Sequence, residues 1–411
     1  MLAIAAAVAL LAGVVVLGLR AAGDDEAAAP VTTTTTVAPT TTTTAPTTTT
    51  TAPYVPVAQL TTIVSAWSPG GLDAGFAAAV PTLPGVLAST LVQGDRLMLT
   101  TGAPAGLAFP LDALAIDPAT YPQFVAADVQ EPLARLGPGQ AVLGATSAAL
   151  RGAAIGSTLT LLDGTVLTVS AVLPDEAVAG AEVVVAQGTL PAIHTPRYVL
   201  VAYEGAVEPI GGELRGAYPQ DKPLRVRLPG ESQFLRHGDG VLTDAQVKSR
   251  FGEFAFAEGP TRDFAASDTA WIDAHIGSIR MPIIGTVECN RQILPDLLAA
   301  LEDVDRLQAE IVTQEEASTT TIDPTVVPPP VDPPLLAPDA NLGCFNPRLI
   351  NPGAGVSRHA YGVAIDLAAP PQLGEHDERL IEIFEGHHFV WGGDFLTPDP
   401  IHFEWVGTGE G

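Results

Sequence analysis

SRHAYGVAIDL, residues 357–367, and DPIHFEW, residues 399–405, are the two stretches that decide how the second half of this chain folds. In the first, Val363, Ile365 and Leu367 alternate with Gly362, Ala364 and Asp366; in the second, Ile401, Phe403 and Trp405 alternate with His402 and Glu404. Residues two apart on a strand share a face, so each stretch predicts a strand with an apolar, core-facing side. The opposite side carries only small residues, carboxylates and an imidazole. The chain has eight histidines, and His359 and His402 fall one in each stretch with Asp366 between them. The small residues around Asp366 leave room there for something other than a side chain.

A single histidine beside an aspartate is most often a hydrogen-bonded structural pair. Two histidines and an aspartate that converge form a ligand set suited to catalytic zinc, which takes three protein ligands and keeps one position for water. Two neutral imidazoles and one carboxylate leave such a centre with about one positive charge, enough to acidify water and polarise a peptide carbonyl.

The same residues carry a family likeness. SRHAYGVAIDL fits the pattern S-x-H-x-x-G-x-A-x-D, and WGGDFLTPDPIHFEW, residues 391–405, fits W-G-G followed by D-x-x-H-F-E. The region resembles the VanY-type D-alanyl-D-alanine carboxypeptidase family of zinc peptidases. The likeness extends through FGEFAF at 251, PIIGTVECNRQILPDLLAAL at 282 and GCFNPRLI at 343, over most of residues 235–407. It implies zinc ligation by His359, Asp366 and His402, and a catalytic acid/base at Asp399. A carboxylate just ahead of a ligand strand can take a proton from the attacking water and return it to the leaving amine. The resemblance also implies that Arg348 meets a substrate carboxylate or developing oxyanion, for which a guanidinium fork is well shaped. Glu404 is expected at the same site, supporting a ligand rather than acting as the base. The plainer alternatives are a surface salt bridge for Arg348 and a purely structural Glu404. Two departures from the family pattern bear on loop shape and substrate range rather than on the metal site. One is a Thr/Pro-rich insertion ahead of Cys344; the other is His387 and His388 in EGHHF, where a glycine is expected. Both histidines read as structural.

Upstream, in residues 1–22, the apolar run from Met1 to Leu19, broken at Arg20, is long enough for a membrane span, which needs roughly 20 apolar residues. A cleaved signal and a buried core helix are the alternatives. Residues 23–53 contain VTTTTTVAPTTTTTAPTTTTTAP, which cannot bury enough apolar surface to offset chain entropy and reads as a disordered stalk. In a polyproline-like state, at about 3.1 Å per residue, the Thr/Pro run reaches roughly 70 Å. The two cysteines, Cys289 and Cys344, lack metal-site spacing and read as a disulfide. Closing that loop stabilises the fold by about 4 kcal/mol in the chain-entropy model and points to an oxidising compartment.

Residues 54–228 read as a separate β-rich domain. Asp163-Gly164 between two alternating runs marks a hairpin, and AEVVVAQ at 181, RYVLVAYE at 197 and PLRVRL at 223 are further strands. The stretch 140–175 resembles the extracytoplasmic core domain of MacB/FtsX-type transporter permeases. No acid/base cluster is visible there, so a structural or binding role is expected. In the C-terminal domain, 229–411, helices are predicted at 290–307 and from Asp377, and residues 318–341 read as a flexible insertion. The fold class is therefore α+β, with a small antiparallel sheet flanked by helices following the β-rich domain.

The chain has 411 residues, 46 of them acidic and 19 basic, for a net charge of −27. This excludes nucleic acid, whose binding needs clustered Lys and Arg. The expectation is an exported zinc metallopeptidase, held at the membrane or secreted, acting on peptidoglycan stem peptides. D-alanyl-D-alanine carboxypeptidase leads, with an endopeptidase of the same mechanism and a catalytically silent wall-binding or scaffold module as alternatives. Asp399 favours an enzyme, because a silent binder has no need of a base.

Overall fold

Nine strands from residues 63–227 join into one mixed sheet: β1 (Ile63–Trp67), β2 (Val86–Leu99), β3 (Phe109–Ile116), β4 (Gln140–Gly144), β5 (Thr158–Thr160), β6 (Val166–Leu173), β7 (Val183–Ala186), β8 (Pro196–Tyr203) and β9 (Arg225–Arg227). Their order is β5-β6-β4-β7-β3-β2-β8-β1-β9. β3 runs parallel to β7 and β4 to β6; the other pairs are antiparallel. The sequence pattern explains the placement. β7 is the unbroken apolar run VVVA and is buried along its whole length in the sheet interior, whereas β6 alternates exposed and buried residues near an edge. The computed structural model of the chain describes residues 53–227, 242–319, 334–350, 355–371 and 375–407. The expected anchor at 1–22 and the stalk up to residue 52 lie outside them.

Four helices accompany this sheet: α1 (Ala74–Ala79), α2 (Gln130–Ala134), α3 (Ala145–Arg151) and α4 (Val207–Ala217). Ile210 and Leu214 of α4 pack on Val64, Val199 and Val201, while Ala148 of α3 packs with Leu143 and Val169.

The second half begins with α5 (Asp244–Phe251), capped reciprocally by Thr243 and Gln246. It continues through the hairpin of β10 (Phe256–Glu258) and β11 (Phe264–Ser267), α6 (Thr269–His275), the hairpin of β12 (Ile276–Met281) and β13 (Gly285–Asn290), and α7 (Leu294–Thr319). β14 (Asn341–Gly343), β15 (Ala364–Leu367), β16 (Phe389–Trp391) and β17 (His402–Trp405) form an antiparallel sheet in the order β14-β15-β17-β16, with α8 (Glu378–Gly386) against it. Among the described residues the chain is thus a mixed α and β protein with four sheets and eight helices. None of these helices is long and apolar enough to cross a membrane.

α7 starts four residues later than the predicted helix and runs well past its end, with Pro295 in its first turn, where no backbone N–H is needed. Leu297, Leu301 and Val304 are fully buried on its inner face. α8 starts after Asp377, whose carboxylate accepts from the Arg379 N–H at 2.9 Å. The predicted insertion at 318–341 is narrower than expected. α7 extends to Thr319, and Leu335, Leu336 and Ala340 are core residues, the Leu336 N–H donating to Gln308 at 2.6 Å. Apolar side chains spaced among prolines still find the core; residues 320–333 lie outside the described residues.

The two halves meet directly. Ala108 and Phe256 exchange backbone hydrogen bonds of 3.0 Å each way, and Arg96 pairs with Glu258 at 2.6 Å. A disulfide joins Cys289 to Cys344, with Cα atoms 5.4 Å apart.

Candidate metal centre

Antiparallel pairing of β15 with β17 sets Asp366 opposite His402 and Ala364 opposite Glu404. Phe403, Trp405, Ile365 and Leu367 fill the core face, which leaves Asp366, His402 and Glu404 on the other. His359 arrives from a short turn, Arg358–Tyr361, immediately before β15. That turn closes on Gly362, at φ +64°, where a Cβ would lie 2.8 Å from the Asn290 nitrogen, so both conformation and space require glycine.

Three donor atoms converge as a result. His359 Nε2 lies 3.0 Å from Asp366 Oδ1, His402 Nδ1 lies 3.1 Å from the same oxygen, and the two imidazole nitrogens are 3.2 Å apart. Ligand atoms at about 2.0–2.1 Å from a tetrahedral zinc stand about 3.3 Å from one another, so this triangle is close to one face of such a site. The group meets the spacing needed to hold a metal ion. His359 Nδ1 donates to the Cys344 carbonyl at 2.8 Å, which directs the Nε2 lone pair into the triangle. Because Cys344 is half of the disulfide, the carbonyl that orients His359 is covalently tied to the end of β13.

Without an ion, protons and hydrogen bonds hold the corner together. Burial alone would raise the Asp366 pKa, but hydrogen bonds from His359 and His402 hold it far below the usual carboxylate range. Burial alone would lower His402, yet hydrogen bonding to Asp366 and the nearby Glu404 carboxylate carry it up to about 9.

A second layer lies behind His402. Its Nε2 is 3.7 Å from Glu404, which is buried and accepts from Arg358 Nε at 3.1 Å. Burial would raise the Glu404 pKa, but Arg358 and His402 outweigh it and keep the carboxyl ionised. The remaining nitrogens of Arg358 donate to Asp244 at 2.8 Å and to the Leu242 carbonyl at 2.7 Å. Arg358 and Asp244 escape the reading of the sequence, although Arg358 stands inside the SRH motif; its partners Asp244 and Leu242 are more than a hundred residues away.

Asp399 lies on the exposed turn that enters β17. Its backbone is firmly held: its N–H donates to the Gly392 carbonyl at 2.8 Å, and its own carbonyl accepts from the His402 N–H at 3.0 Å. A Cβ on Gly392 would come within 2.6 Å of that carbonyl, which accounts for the first glycine of W-G-G. The Asp399 carboxylate has no hydrogen-bond partner among the described residues, and it does not join the three-donor triangle. Arg348 is bridged through its backbone to Asp263, its carbonyl accepts from the Ser357 N–H at 3.1 Å, and its Nε is buried without a partner among the described residues. His387 pairs with Asp303 at 2.9 Å on the far side of α8 from β17, and His388 takes a positive φ of 70° in the turn before β16. Neither belongs to the triangle.

Residues 351–405 match the model of the D-alanyl-D-alanine carboxypeptidase family. That segment contains all three donors, Asp399, Glu404 and Arg358, but not Arg348. No curated protein matches the chain. Among solved structures, the chain is similar to the periplasmic region of MacB from Actinobacillus actinomycetemcomitans, at 11% identity over 42% of this chain and 90% of that one, with a TM-score of 0.29. It is also similar to the extracellular domain of the noncanonic ABC-type transporter YknZ from Gram-positive bacteria, at 12% identity over 40% of this chain and 98% of that one, with a TM-score of 0.28.

Proposed function

We propose that this protein is an exported zinc metallopeptidase that removes terminal D-alanine from the stem peptides of bacterial cell wall. The observation that carries the reading is the convergence of His359 Nε2, Asp366 Oδ1 and His402 Nδ1 at 3.0–3.2 Å, within a segment that matches the D-alanyl-D-alanine carboxypeptidase family. These three atoms would hold the ion, which when bound supplies a Lewis acid for the scissile carbonyl and for water.

The chain's own groups supply the rest. Asp399, on a turn fixed by backbone bonds and with no hydrogen-bond partner for its carboxylate among the described residues, takes the proton from the attacking water and delivers it to the leaving amine. Glu404 keeps His402 turned with Nδ1 inward. Arg348, whose Nε has no partner among the described residues, receives the terminal carboxylate of the substrate. In a chain of net charge −27 such a substrate needs a local cation. The disulfide supports an oxidising location, with residues 1–22 as a membrane anchor, or as a signal whose removal releases the protein. The acidic charge argues against nucleic acid as a partner.

Incubating the zinc-loaded chain with purified muropeptides and weighing the products tests the reading. Loss of one terminal D-alanine is expected. Cleavage at internal bonds would make it an endopeptidase, and binding without cleavage would make it a wall-binding module.

A further inference from the structure

Helix α5 touches both halves of the molecule through charged side chains on one face. Lys248 reaches into the nine-stranded half, where it pairs with Glu182 and donates to the Pro110 carbonyl. Both charges are enclosed, Glu182 at 0% and Lys248 at 1% exposure. Glu182 also accepts from the Asp112 N–H at 2.9 Å and from Arg151 at 2.7 Å, so both of its oxygens are committed. Lys248 therefore has little freedom to move without leaving a buried carboxylate short of a partner, which is strongly destabilising.

Asp244 stands one turn earlier on the same helix, and residues four apart share a face. It accepts from Arg358, whose fork also reaches the Leu242 carbonyl and Glu404. Glu404 faces Nε2 of His402, and the opposite nitrogen of that ring faces Asp366. Two sets of charged contacts, joined through one turn of α5, thus lead from the interior of the first half of the chain to one donor of the metal triangle. His359 has a different support, the carbonyl of a disulfide-bonded cysteine. The two imidazoles are held from opposite directions, one by a covalent tie and the other by these charged contacts.

We propose that α5 is a strut that orients His402, acting from Glu182 through Lys248, Asp244, Arg358 and Glu404, so that metal affinity depends on a residue of the first half of the chain. The inference rests on the metal site described above and goes beyond it. Each of these five is a positioning residue; none touches the reacting atoms.

The test measures zinc affinity by chelator competition and the visible spectrum of the cobalt(II) form, on the full chain, with thermal melting as the control for folding. Loss of an outer partner of a ligating histidine weakens metal binding by about 10–100-fold, so Arg358→Met is expected in that range, with an altered cobalt spectrum. Arg358→Lys restores the charge but not the fork and is expected to fall between Met and wild type. Glu182→Gln with Lys248→Met neutralises the distant pair while keeping its volume, and a 2- to 30-fold loss of affinity, roughly the range for mutations along a coupling network, is expected. Asp244→Asn, midway along the strut, gives the same reading if the double variant does not fold. Glu258→Gln removes a different contact between the halves and is expected to leave zinc affinity unchanged.

Wild-type affinity and spectrum in folded Arg358→Met overturn the inference. Wild-type values in the folded double variant and in Asp244→Asn overturn its long-range part, and an equal loss in Glu258→Gln overturns it in favour of general loosening. A wild-type protein that binds zinc but releases no D-alanine removes the peptidase reading and leaves the strut standing. A wild-type protein that binds no zinc removes both.

Discussion

Two of the places where charge is enclosed among the described residues are built in opposite ways. At the seam between the halves Glu182 is met by two cations, Lys248 and Arg151, and Arg151 reaches on to Glu253. Every charge there has its counter-charge from the protein. At the corner between β15 and β17, two imidazoles and a carboxylate face one another, and no Lys or Arg among the described residues hydrogen-bonds any of the three. The seam is electrostatically complete, whereas the corner is complete only with a proton or a cation. Buried closed clusters are weak evidence of function, because apolar residues of similar volume often replace them at little cost. A buried cluster of donors lacking its own cation is what a metal requires.

The sharpest way to break that comparison is to remove the carboxylate that both imidazoles share. Asp366→Ala is expected to lose its zinc and all detectable D-alanine release together, by metal analysis and product mass. A folded Asp366→Ala protein with full zinc content would show that the corner is no different from the seam.

Asp399 sharpens it next, since the proposed reaction uses it although it lies outside the triangle. Asp399→Ala is expected to keep its zinc and lose roughly 10²- to 10⁴-fold in turnover, the usual contribution of a positioned acid/base. Near-normal turnover would transfer that role elsewhere.

Arg348 is one of four arginines whose buried Nε has no hydrogen-bond partner among the described residues, and the one in the loop that leads to the metal-site segment. A charged hydrogen bond contributes about 1.5–3 kcal/mol, so Arg348→Ala is expected to cost about 10- to 150-fold in kcat/KM on peptides with a free C-terminus. Amidating that terminus should cost the wild type a similar factor and the variant little more. Equal rates on free and amidated peptides would dissociate Arg348 from substrate binding.

The smallest effect is expected at His387, whose pair with Asp303 is only half-buried. Such pairs contribute about 0.2–1 kcal/mol, so His387→Ala should shift melting slightly and leave zinc content and turnover unchanged. Hydrogen bonds from His387 and then Arg306 hold Asp303 below its ordinary pKa. Its share of stability is therefore present at neutral pH and fades as pH falls below about 4, which acid melting of wild type and variant would detect. A large loss of turnover in His387→Ala would bring this residue into the site.

By itself the sequence determined what local periodicity can encode. Alternation in 363–367 and 401–405 specified two strands and which side of each meets the core, because side-chain direction reverses at every residue. The Asp377 cap located the start of α8, and the leucine spacing after Pro295 located α7 though not its end, since beyond Ile311, itself packed on the core, the helix continues through polar residues that carry no periodic signal. The candidates His359, Asp366 and His402 were visible as residue types on an emptied strand face. Only the tertiary structure decided that β15 and β17 pair in the register that sets Asp366 against His402, a one-residue slip of which would send every side chain to the opposite face. Only the tertiary structure, likewise, fixed the order of the nine strands and brought Glu182 to Lys248 and Arg358 to Asp244 along one helix. Charge pairing between residues 114 positions apart, such as Asp244 and Arg358, leaves no periodic trace in a single chain. It depends on which surfaces burial brings together, and burial is a property of the whole fold.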